Sequence, residues 1–326
     1  MIAFDSAGRH LVLADDDELL VHDGASEAPR WRRCCKSPLV AVGAAADAVV
    51  SLDEDGQAIW HDPERDHQRA VADAGDLARA AAVSPTGSVL VATIDGAVEL
   101  TPRGPGRRHD WPGATAVAWG VAGQILIGDE RGKLGVFGPD GLVYETDVDG
   151  PVVDAAWNAR GFWVVATADQ LLRIEVGAVR LLTRAPAGAS VRAVACSPDG
   201  AAIGLVLGHE RVLGHERVLV LSWPERATIA QLRYYERAVT GLQFGPEPWL
   251  AVGLDGGDGD KLDLTTGDLH HIAPHPGRPQ RRWTVEVSVD PSPPQAAAPA
   301  STSSRPTLLI ISVALAILGL IASLVL

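Results

Sequence analysis

Ala195-Cys196-Ser197-Pro198-Asp199-Gly200 and Ala82-Val83-Ser84-Pro85-Thr86-Gly87 are two copies of one turn, each set between apolar runs. Pro fixes φ at the second turn position and Gly follows at the fourth, the signature of a type I turn. The frame recurs at Phe4-Asp5-Ser6-Ala7-Gly8, Trp119-Gly120-Val121-Ala122-Gly123 and Trp157-Asn158-Ala159-Arg160-Gly161, and more weakly with Asp47 and Pro248 at the glycine position. The anchors fall at 8, 47, 87, 123, 161, 200 and 248, so the repeat is 36 to 40 residues long until a last interval of 48. The next turn of the unit is Asp55-Gly56, Asp95-Gly96, Arg131-Gly132 or Asp255-Gly256, a strong short-range hairpin signal. Runs such as 89–93 and 124–128 are apolar almost throughout, as strands covered on both faces are. Seven four-stranded units predict an all-β chain, a seven-bladed β-propeller. A two-sheet sandwich would not repeat seven times.

The units are expected near 1–37, 38–75, 76–114, 115–150, 151–189, 190–237 and 238–278. Part of the long last interval is a tandem duplication: Gly-His-Glu-Arg-Val-Leu occupies 208–213 and again 214–219. It is expected to lengthen the hairpin between the second and third strands of the sixth unit, where loops accept insertions. Residues 282–289, Arg-Trp-Thr-Val-Glu-Val-Ser-Val, alternate with period two and predict a closing strand. Pairing with the edge of the first or last blade would hide an open edge. Met1 lies almost inside the first strand, so the N-terminus is expected to add little to closure.

The repeat resembles WD-repeat and related bacterial propellers over about residues 1–278. The Ser-Pro-Asp-Gly turn matches at 197–200 and less fully at 84–87, and the Trp-Asp dipeptide is echoed by Ile59-Trp60-His61-Asp62 and Val21-His22-Asp23. Both Gly-His pairs lie in the duplicated hairpin rather than at the start of a unit, so the family's buried Ser–His–Asp–Trp network is not carried over. The resemblance implies a scaffold for protein–protein interaction. Some propellers of this kind resemble members of systems with a MoxR-type AAA+ ATPase and a von Willebrand A domain, which makes those the implied partner classes. Arg outnumbers Lys 25 to 3, with abundant Ala and Gly, a usage that resembles GC-rich bacteria.

Lys plus Arg is 28 and Asp plus Glu is 41, a formal charge of −13. That balance argues against nucleic acid, which needs a basic footprint. Residues 307–326, TLLIISVALAILGLIASLVL, hold no charge; at about 1.5 Å per residue they make a helix of about 30 Å, the thickness of a bilayer core. They predict a transmembrane tail anchor, with Thr307, Leu308, Ile311, Leu315, Leu318 and Leu326 in lipid. Arg305 flanks the span and, by the positive-inside rule, sets the preceding domain in the cytoplasm, at a bacterial inner membrane. The absence of a leading signal segment supports the same side. A Pro/Ala/Ser-rich linker at 290–306 would hold the domain up to about 50 Å from the surface.

Candidate chemistry is sparse. Cys196 takes the place of Phe4, Val83, Trp119, Trp157 and Phe244 in other units and is expected to be a small buried hydrophobe. Cys34 and Cys35 sit between Arg33 and Lys36, a setting that can lower a thiol pKa, but no second Cys/His pair completes a metal site and two residues of an outer strand are expected. The acidic hairpin from Gly253 to Leu264 brushes against a calcium-loop pattern, but Lys261 stands where a ligand is needed, so a solvated turn is expected. The same holds for Asp15-Asp16-Asp17-Glu18. His61, His67, His270, His271 and His275 show no recurring ligand spacing. No catalytic or metal-binding residue and no cofactor is therefore assigned. The favoured reading is a membrane-tethered, cytosol-facing interaction scaffold, and the alternative is a propeller hydrolase with its site in the central channel.

Overall fold

The proline turns close as their residues require. In the computed structural model Gly87 and Gly200 take φ of +85° and +70°, a region L side chains avoid. Their N–H groups donate to the carbonyls of Ser84 and Ser197 at 2.9 Å. The two hydroxyls accept the next N–H, from Ser88 at 2.9 Å and from Ala202 at 2.8 Å. Each turn joins an inner strand to a second strand, two further turns add a third and an outer strand, and the unit ends.

The structure describes residues 1–5, 8–23, 29–45, 47–209, 215–235, 237–246, 248–272 and 285–289. They form seven antiparallel sheets, each built on four strands consecutive in the chain, spanning 2–34, 39–73, 80–110, 114–147, 152–184, 189–235 and 239–272, and the sixth takes a fifth strand from 285–289. The chain is an all-β, seven-bladed propeller. Residues 1–291 form one compact unit. The linker 290–306 and the anchor residues Arg305, Thr307, Leu308, Ile311, Leu315, Leu318 and Leu326 lie outside the described residues. Among the described residues no helix is long and apolar enough to cross a membrane.

The apolar residues gather into seven clusters, each shared by two neighbouring blades. Val50, Leu52 and Trp60 of blade 2 pack with Val89, Val91 and Leu100 of blade 3. Leu126, Leu134 and Val136 of blade 4 pack with Trp163, Val165 and Ile174 of blade 5. Sheets packed this closely need missing side chains at the contact. A Cβ on Gly128 would lie 2.5 Å from Val152 in the next blade, and one on Gly204 2.7 Å from Leu242. These glycines are there for space rather than for a turn.

Closure differs from the expectation in two ways. Val285–Val289 pairs antiparallel with Thr228–Tyr235, the outer strand of blade 6, and with neither the first nor the last blade. The ring instead closes by packing: Ile2, Phe4, Leu11, Leu13 and Leu20 of blade 1 meet Ala251 and Ile272 of blade 7. The N-terminus also contributes. The Met1 nitrogen donates to Thr240 Oγ1 at 3.0 Å, and the Phe4 N–H donates to Gln243 Oε1 at 2.7 Å. Lys261 Nζ lies 4.1 Å from the ring centre of Trp249 and 5.8 Å from that of Phe4, across the same seam.

The second and third strands of blade 6 run Ala202–His209 and His215–Ser222, so the second copy of the duplication supplies a strand start, and 210–214 lies outside the described residues. Deleting 214–219 should leave a folded ring, because 208–213 then offers the same Glu, Arg, Val and Leu to the partners of 216–219; loss of the cooperative unfolding transition would contradict this. Gly128→Ala should lower stability by about 1–3 kcal/mol, read by denaturant unfolding, because the added methyl meets Val152.

Candidate functional site

A propeller can receive partners at its axis or on either end face, where loops sit on a rigid frame. The axis is formed by the inner strands. In five blades the inner strand slips one residue against the second strand, leaving Val40, Thr115, Val153, Arg192 and Thr240 outside the ladder. Such bulges re-aim side chains, and here they reach the next blade. Thr115 Oγ1 donates to the Val152 carbonyl at 2.7 Å. Arg192 pairs with Glu216 at 3.2 Å, and Glu216 in turn accepts the N–H of Val239 in blade 7.

Asp154 is the one carboxylate in the seven inner strands. It accepts the N–H of Ala155 and, across the blade boundary, that of Val194, both at 2.8 Å. Burial outweighs these two bonds and lifts its carboxyl to about 6. The sequence carried the signal: Val152-Val-Asp-Ala-Ala-Trp157 puts an acid where the other units are apolar.

The sequence candidates are distributed as follows. Trp60 is buried and its Nε1 donates to the Gly87 carbonyl of blade 3 at 2.6 Å. His61 is buried against Ser51 Oγ at 2.9 Å, with Arg33 at 3.4 Å on its other nitrogen. Burial first, and the Arg33 charge second, push its pKa down to about 4. Asp62 turns outward to Arg69 at 2.8 Å. The Trp-His-Asp echo thus serves three separate contacts.

Cys34 ends the outer strand Pro29–Cys34, and Cys35 beside it is not activated: burial pushes its thiol up to about 11 and outweighs Arg33. Two expectations are corrected. Cys196 is half-buried, although its thiol is likewise pushed up, to about 12, chiefly by desolvation. The acidic hairpin of blade 7 is not simply solvated. Asp255 and Asp258 hold the buried Arg237 at 2.6 and 2.7 Å, and the fully buried Asp260 meets His271 Nδ1 at 2.5 Å. His275 lies outside the described residues. Among the described residues no group of three or more His, Cys, Asp or Glu converges as a metal site.

One end face carries the proline turns; the other carries the second-to-third hairpins and the blade-to-blade connections. On the connection face of blades 2 to 4, Glu54, Asp55, Asp73, Asp95, Asp110, Asp147 and Asp149 are exposed. Two aliphatic side chains stand among them, Leu77 at 63 % exposure and Ile94 at 54 %. They flank the hydrogen-bonded pair Arg79 N–H and Ala92 carbonyl, 2.9 Å, which places them on neighbouring turns. Arg79 pairs with Glu130 at 3.6 Å, with both side chains exposed, and offsets little of this charge. The repeat pattern gave no hint of this arc, because its members come from six different turns and strand ends. Between blades 5 and 6 a groove of about 450 Å³ has an apolar floor of Leu182, Leu205, Leu207, Leu219 and Leu221.

No family model matches the chain, and no curated protein does. Solved structures do match. The β-propeller domain of Myceliophteria thermophila Cps50 (Swd1) aligns with TM-score 0.66 and 13 % identity, over 77 % of this chain and 92 % of that one. Saccharomyces cerevisiae Sqt1 aligns with TM-score 0.61 and 10 % identity, over 84 % of each. At such identities the likeness is one of fold.

Two of the shifted groups, His61 and Asp154, give opposite pH slopes. His61 titrates lower in the folded chain than its ordinary 6.5, so its contribution is present above pH 6.5 and lost as pH falls toward 4. The stability advantage of the wild type over His61→Gln should shrink across that window by up to roughly 3 kcal/mol. Asp154 titrates higher than its ordinary 3.8, so its contribution is present below 3.8 and lost as pH rises through about 6. Against Asp154→Asn the difference should therefore run the other way. Denaturant unfolding from pH 4 to 7 reads both, and parallel curves would refute both assignments.

Proposed function

We propose that this chain is a membrane-tethered, cytosol-facing scaffold that docks a protein partner on the connection face of its propeller. The observation that carries the docking half is the pair Leu77 and Ile94, exposed inside an arc of carboxylates on blades 2 to 4. Exposed aliphatic groups ringed by charge are the make-up of a binding patch, with an apolar anchor and a polar rim. The matching partner surface is basic around an apolar pocket, and the charge arc would speed its approach. AAA+ ATPases and von Willebrand A domains are the partner classes that the propeller resemblance suggests.

The tethering half rests on the uncharged run 307–326 and on Arg305 beside it. A tether confines the search for a partner to the membrane and raises the effective concentration there. The full-length protein should stay with membranes through high salt and alkali and leave only in detergent, since burial of apolar side chains is not screened by ions. Truncation after Pro306 should disperse it. Release of the full-length protein by salt would sink the tether. In cells, photo-crosslinkers on the connection face should give a discrete adduct that Leu77→Glu with Ile94→Glu abolishes and Val121→Glu, on the opposite face, leaves intact. An adduct indifferent to the double change would sink the docking face.

A further inference from the structure

The outer strand of each blade is an edge whose free N–H and C=O groups can pair with another chain. In this ring most outer strands carry features that discourage pairing. Blade 1 ends in Pro29–Cys34, Pro-Arg-Trp-Arg-Arg-Cys, and blade 3 in Gly104–Asp110, Gly-Pro-Gly-Arg-Arg-His-Asp. Charge and proline are both known edge protectors. The outer strand of blade 6 is different. Thr228–Tyr235, Thr-Ile-Ala-Gln-Leu-Arg-Tyr-Tyr, is eight residues long, rich in β-branched and aromatic residues, and holds a single charge, Arg233.

That strand is where Val285–Val289 adds a fifth strand, in register from Tyr234 opposite Val285 to Ala230 opposite Val289. To reach it the chain bypasses Leu269–Ile272, the outer strand of its own last blade, which pairs among the described residues only with its third strand. Proximity in the chain therefore does not decide the pairing; the bypassed edge is four residues long and the chosen one eight. Among the described residues the ladder covers five of the eight positions, Ala230 to Tyr234. Val287, opposite Leu232, remains 36 % exposed, and Ser288 is exposed.

We propose that the outer edge of blade 6 is a strand-acceptor site for an extended segment of a protein partner, occupied in this structure by Val285–Val289 acting in cis. The segment it fits has β-branched residues at alternate positions and an acidic residue opposite Arg233, the place the register gives to Glu286. A partner strand spanning all eight positions makes ladder bonds along the whole edge and competes with the cis strand. Main-chain bonds supply affinity in such pairing and alternate side chains supply specificity. The site depends neither on the tether nor on the connection face.

The probe is a fluorescent peptide Thr-Val-Glu-Val-Ser-Val, titrated into the full chain in detergent, as wild type and as Val287→Pro. Proline removes a ladder N–H and bars the strand. The peptide should bind Val287→Pro at least tenfold more tightly than the wild type, and a peptide with Lys in place of Glu should bind it more weakly. Amides within 230–234 should lose hydrogen-exchange protection in the variant while the other blades keep theirs. Ser288→Pro serves in the same role if Val287→Pro does not fold. Equal peptide binding to wild type and folded variant, or equal exchange at 230–234 in both, would overturn the proposal. So would a concentration-dependent dimer of the full chain, which would mean that the strand swaps between copies.

Discussion

No blade of this ring has a core of its own. Each apolar cluster draws on two neighbouring sheets, so a blade separated from the ring would expose both of its faces. Burial between sheets is the dominant favourable term, and it is available only when sheets approach closely. That requirement explains the small residues inside strands, such as Gly128 against Val152 and Gly204 against Leu242. It also explains why polar groups at the boundaries reach sideways: Trp60 to the turn of blade 3, Asp154 to Val194 of blade 6, Glu216 to Val239 of blade 7. A buried N–H left without such an acceptor would cost about 1–3 kcal/mol.

The seam between blades 1 and 7 obeys the same rule without exchanging a strand. Seven buried side chains, hydrogen bonds from Met1 and Phe4 and the Lys261–Phe4 contact hold it. The strand that the sequence offered as a clasp is used elsewhere, on the longest of the outer edges. Closure and edge protection are separate problems here. Packing solves the first, and a mixture of charge, proline and one added strand solves the second.

Rigidity at the blade boundaries leaves variation to the turns. Where a carboxylate is held, as Asp255 and Asp258 are by Arg237 or Asp260 by His271, it stabilises a boundary. Where it is exposed, as at Asp73, Asp110 and Asp147, it recurs at the same strand end in successive blades and builds a field across one face. Repetition of a structural unit therefore becomes repetition of surface charge, and the aliphatic pair Leu77 and Ile94 stands exposed within it.

The sequence by itself determined the blade. Turn residues with fixed φ requirements, Gly87 and Gly200 above all, and apolar runs between them are local properties, legible at their spacing. It also showed, in Asp154, an acid standing in an apolar strand, though not what that acid holds. Everything that depends on which units become neighbours was left to the tertiary structure. The basic residue Arg33 pulls the Cys35 thiol down, but burial, invisible in the local sequence, decided the sign. The acidic hairpin of blade 7 looked solvated because Arg237, which it grips, belongs to the preceding connection. Period-two alternation at 285–289 announced a strand without naming its partner, since any edge answers that pattern, and only the folded ring placed it on the outer strand of blade 6. Local sequence fixes dihedral preferences and burial pattern; long-range contact alone fixes which desolvated groups face each other.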